Sequence, residues 1–124
     1  MALEVLRSSR QRISERLLLI YLEAVILATS PDSEVRDGDL AMPLAQRAAR
    51  LTSYQDPAAL LALAAAVAET GDLGAATRLL DLAKALCRSG RKPEFLPTLE
   101  AASRQLQARG VVRWDAEDWR RLPL

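Results

Sequence analysis

The stretch from Asp56 to Leu86, DPAALLALAAAVAETGDLGAATRLLDLAKAL, carries no polar side chain between Pro57 and Ala68. Its residues are Leu and Ala with a single Val, which favour helix over strand. Asp56-Pro57 reads as an N-cap followed by proline at the first helical position, where a missing N–H costs nothing. Gly71 reads as the stop, because glycine accepts the left-handed backbone of a helix C-terminus. A helix that is apolar on every side needs neighbours on every side. This requirement limits the fold more than any other feature of the chain.

Similar punctuation divides the rest. Asp72 caps a helix running to about Arg88 and Gly90. Pro93 opens another that ends near Gly110. Upstream, Pro31 and Gly38 bracket the turn-rich SPDSEVRDGD, and Asp39 is a natural cap for a helix from Leu40 to about Leu51. Apolar residues at Leu3, Leu6, Ile13, Leu17, Ile20, Ala24 and Leu27 predict a helix before Pro31 that reaches back to Ile13 or to Leu3. Near the end, Asp115 can cap a short helix, with Asp118 as its capping-box acid. Trp114 and Trp119 have the spacing of a hydrophobic staple. The expected fold is all-α, in one domain of 124 residues. Residues 1–12 form an N-terminal helix extension, 13–52 and 57–90 two helix pairs, 93–109 a capping helix and 110–124 a C-terminal tail.

The two pairs are related by a repeat. Ala41, Ala45, Ala48 and Leu51 recur 35 residues later as Ala76, Leu80, Ala83 and Leu86, the mark of stacked helix–turn–helix units. With Pro57 as the first position, Leu60, Leu63, Ala64 and Val67 give a large–large–small–large set. Gly71-Asp72 gives the turn, and Ala76, Leu80 and Ala83 a small–large–small set. On these residues the segment from Pro57 to about Arg88 resembles the tetratricopeptide repeat family. The unit from about Leu17 to Leu51 resembles a degenerate copy, with Leu27-Ala28 as its large–small pair and an expanded turn. The whole span resembles a bacterial variant often found within larger multidomain proteins.

The resemblance implies a short right-handed superhelical stack of about two repeats and a capping helix. It also implies a non-enzymatic adaptor role, with ligands held in a concave groove. The groove positions are Leu61, Ala65, Ala68 and Glu69 in the second unit and Leu22, Val25 and Thr29 in the first. The Lys, Arg and Asn that grip a terminal carboxylate in well-known members are absent there. An amphipathic helix suits such a small-residue, apolar groove. It can come from another protein, from a second copy or from the chain's own end, and two repeats alone favour the last two. Trp114 and Trp119 either clamp the terminal helix or form a docking tail.

Composition narrows the remaining classes. With no histidine, His-based acid–base catalysis and His metal sites are excluded. Cys87, the only cysteine, sits near a helix C-terminus that disfavours a thiolate. Asp32, Glu34, Asp37 and Asp39 lack the spacing of a calcium loop; turns, caps and pairing with Arg36 explain them. GDLG at 71–74 has no strand before it and no Lys-Ser/Thr after it, as a phosphate loop needs. No cofactor or metal is expected. The alternative to protein binding is nucleic-acid binding through Arg7, Arg10, Arg12 and Arg16, joined by Arg47 and Arg50. The net charge of +1, the acids Glu4 and Glu15 and the lack of interleaved aromatics weigh against it. Those four arginines and the apolar run from Leu17 to Ala28 mimic a leader peptide, but Glu23 interrupts the run. A buried helix in a cytoplasmic protein is the expectation.

Overall fold

A computed structural model describes residues 2–124. Among them every regular element is helical: α1 (Ala2–Thr29), α2 (Gly38–Leu51), α3 (Pro57–Glu69), α4 (Leu73–Arg88), α5 (Leu96–Arg109) and α6 (Ala116–Arg120). A single 3-10 turn, Pro93–Phe95, precedes α5.

α3 is the centre of the molecule. It packs against α1, α2 and α4, and eleven of its thirteen residues are buried. That explains the all-round apolar stretch: whichever way a side chain points, another helix receives it. Small residues let those helices come close. Ala58, Ala59, Ala62, Ala64 and Ala66 are all at most 1% exposed, and Leu60 and Leu61 fill the space between. α2 and α4 are two-faced instead. Their buried faces are Ala41, Ala45, Ala48 with Ala49, and Ala76, Leu80, Ala83 with Cys87. The first three residues of each set are the repeat pairs found at an offset of 35. The fourth pair diverges: Leu86 is half-buried, whereas Leu51, at the end of α2, is exposed. α5 packs on α4 through Leu99, Ala102 and Leu106.

Most helix ends follow the sequence signals. The Asp56 carboxylate accepts from Ala58 N (2.9 Å) and that of Asp72 from Ala75 N (3.0 Å). Gly71, at φ 97°, lets its own N–H reach Ala68 O and that of Asp72 reach Val67 O. Asp115 and Asp118 form the expected capping box. Two boundaries differ. α2 starts at Gly38 with Asp37 as its cap, accepting from Leu40 N at 3.1 Å. Asp39, the expected cap, is instead an acid of the first turn, where the helix dipole favours it. Gly38 lies so close to α3 that an added Cβ would stand 2.7 Å from Glu69 Cγ. The helix expected from Pro93 is first a 3-10 turn. The α-helix starts at Leu96, which leaves Pro97 in the first turn, where proline is tolerated.

Candidate functional site

The residues assigned to a concave groove converge, but not on an open surface. Val25, Thr29, Leu61, Ala65 and Ala68 are buried; Leu22 and Glu69 are half-buried. Leu61, expected to line the groove, is 1% exposed, against 6% for Leu63. Both leucines therefore belong to the core. The chain also closes the end of this face itself. Trp114 N donates to Thr29 O at 2.9 Å, and Trp119 Nε1 donates to Thr29 Oγ1 at 3.0 Å. The Thr29 hydroxyl in turn donates to Val25 O at 2.6 Å. Val112, Trp114 and Leu122 join the core and Trp119 packs against it. The two tryptophans are thus a clamp holding the terminal helix, not a free docking tail.

An ionic clamp reinforces this closure. Glu69 ends α3, where the helix dipole disfavours an acid, and two arginines compensate. Arg113 Nη1 reaches Glu69 Oε2 at 2.8 Å and Arg113 Nη2 reaches Oε1 at 3.3 Å; Arg36 Nε reaches Oε1 at 3.0 Å. Arg36 Nη1 also donates to Ser30 O at 2.9 Å. Arg113 is positioned by its own N–H, which donates to Gln105 Oε1 at 2.8 Å. Arg36 was expected to pair with the acids around it. It pairs with none of them, and two are occupied locally: Asp32 accepts from Glu34 N, and Asp37 caps α2. One carboxylate thus ties the α1–α2 loop, the end of α3 and the tail together.

Cys87 is buried, and its thiol donates to Lys92 O at 3.4 Å. Burial and the charge of Glu94 raise its pKa, with Arg88 opposing, so the protonated form is favoured. Burial, helped by the charge of Asp56, likewise keeps the Tyr21 phenol protonated well above its ordinary range. Neither group is prepared for nucleophilic chemistry.

The open surface is elsewhere. At about 1.5 Å per residue, the 28 residues of α1 extend roughly twice as far as the 14 of α2. Between residues 2 and 16 every residue but Ser9 is exposed. Leu3, Leu6 and Ile13 are 68%, 52% and 65% exposed. They continue the 3–4 spacing of Leu17, Ile20, Ala24 and Leu27, which in the other half of α1 pack into the core. The seam therefore outlasts its partner. Where α2 stops, Ile13, Arg16, Leu17 and Ile20 of α1 face Arg47 and Leu51 of α2 across an open cleft of about 220 Å³. Among the described residues, Arg7, Arg10, Arg16 and Arg47 enter no ion pair. The one aromatic residue of α1, Tyr21, is buried, so no aromatic ring of this helix offers a stacking platform for a nucleobase. The periodic residues were visible in the sequence. Their lack of cover could have been found by comparing the length of that run with the length of the next helix.

Among the described residues, no helix is long and apolar enough to cross a membrane. Comparisons with models of protein families, with curated proteins and with solved structures find no match to this chain.

Proposed function

We propose that the chain is a non-enzymatic interaction module of the tetratricopeptide type, an adaptor that receives a helix on the uncovered face where α1 outruns α2. The carrying observation is the seam of Leu3, Leu6 and Ile13, which continues the packed interface of α1 into solvent. Helices bury such seams against other helices. The tetratricopeptide assignment is supported by three pairs of residues at one offset, buried alike in α2 and α4. The groove named by that resemblance is not the docking surface in this reading, because its positions are used internally. A cytoplasmic location is part of the proposal; its support is that the leader-like run supplies Tyr21, Ala24, Val25 and Ala28 to the core.

Amide hydrogen exchange tests the reading. In dilute protein the amides of residues 2–16 exchange fast, because a solvent-exposed helix of this length is marginal. They become protected with an added amphipathic helical peptide. The double variant L6S/I13S abolishes that protection and leaves the melting temperature unchanged. No protection at any concentration, with peptides of either charge, refutes the proposal.

A further inference from the structure

We infer that the occupant of the α1–α2 face is an amphipathic helix of another protein with acidic residues beside its apolar seam; the inference rests on the docking face proposed above. With Leu3 at heptad position a, Leu6 and Ile13 fall at d and Arg10 at a. Arg7 takes e and Arg16 takes g, the two positions that meet a partner's flanks. The acids of this stretch, Glu4 and Glu15, take b and f on the opposite side. Arg47 adds a further cation across the cleft. The border positions are therefore Arg7, Ser9, Ser14 and Arg16; the charged residues among them are all basic, and neither arginine is neutralised among the described residues.

That border argues against a second copy. A parallel two-fold pair sets Arg10 against its own counterpart in the seam. An antiparallel pair centred on the overhang brings Arg7 towards Arg7 of the other copy. Like charges at these positions oppose association. An acidic-flanked helix instead sets opposite charges beside Arg7 and Arg16 and brings no like charge against Arg10. The aliphatic stems of Arg10 and Arg16 can still cover apolar surface. The cleft beside Leu51 suits one large apolar side chain of such a helix, whereas a flat lipid surface does not enter it.

Two designed helical peptides serve as probes. Both carry Leu and Ile at a and d; one has Glu at every e and g position, the other Lys. Fluorescence anisotropy with the full chain should show binding of the Glu peptide. Binding should be about tenfold weaker in about 0.5 M salt, as screened exposed ion pairs require. The Lys peptide should bind at least about tenfold more weakly than the Glu peptide. The exposed triple variant R7E/R10E/R16E should reverse that preference without altering the melting temperature. Equal binding of the two peptides overturns the acidic partner and leaves the docking face standing. So does self-association through Leu6 and Ile13 that excludes both peptides. Binding to vesicles containing phosphatidylserine, with neither peptide bound, overturns the inference in favour of a membrane. If neither peptide binds and L6S/I13S changes nothing, the docking face itself fails.

Discussion

Replacing Glu69 with Gln keeps the shape of the side chain and removes the charge that two arginines share. Glu69, Arg36 and Arg113 are 17%, 22% and 21% exposed, so solvent screens the group only in part. Three contacts of 2.8 to 3.3 Å converge on the carboxylate. In a dry site each charge-assisted bond contributes about 1.5–3 kcal/mol. Partial exposure roughly halves that, and the glutamine oxygen still accepts one bond. The substitution also leaves two half-buried guanidinium groups without a counter-charge. A net loss of about 2 kcal/mol is expected, or about 8 °C in melting temperature for a chain of this size. Circular dichroism melts measure the loss, and tryptophan fluorescence reports on the tail through Trp114 and Trp119. A double-mutant cycle adds a geometric check. Coupling of Glu69 with Arg113, probed by R113M, should exceed coupling with Arg36, probed by R36M, because Arg113 makes two contacts and Arg36 one. A shift below about 2 °C, or no coupling in either cycle, would show that the clamp contributes no more than an exposed surface pair.

Leu61→Ala and Leu63→Ala should each cost about 2–5 kcal/mol in urea denaturation, independent of protein concentration, because both side chains are buried. A clearly milder effect at Leu61 would restore it to an exposed surface. Gly38→Ala should destabilise by about 1–2 kcal/mol in thermal melts. The new methyl collides with Glu69 Cγ, and the strain exceeds the roughly 1 kcal/mol that alanine gains over glycine in a helix. Stability should fall in strong alkali. The folded-state pKa of Tyr21 is raised by burial and then by Asp56, so its contribution is complete below the unfolded phenol value of about 10 and is lost as pH rises from there through the folded value. Tyr21→Phe should flatten that alkaline limb in denaturant titrations across pH; an unchanged limb assigns it to other groups.

What the sequence made legible was mainly local. Asp56, Asp72 and the Asp115–Asp118 pair act within three residues of themselves, so their caps could be read directly. The choice between Asp37 and Asp39 could not, because both flank Gly38 and either can cap. The close approach of Glu69 to Gly38, 31 positions away, becomes visible only in the folded chain. Glu69 looked like a groove residue because the spacing of a repeat says nothing about a tail that returns over it. Its partners lie 33 and 44 positions away, and Thr29 meets Trp119 across 90. The apolar character of Leu61, Ala65 and Ala68 was correctly seen. Its meaning was not, since an apolar stripe looks the same whether it awaits a ligand or already faces a neighbouring helix.

The bond between Thr29 and Trp119 joins the first helix to the last, and this has a consequence during synthesis. A ribosome releases Thr29 long before Trp119. Until the tail emerges, nascent chains must hold the Thr29 end of α1 and the Glu69 end of α3 without their final cover. During that interval this end of the protein stays open to solvent, and it closes only when α6 docks on Thr29.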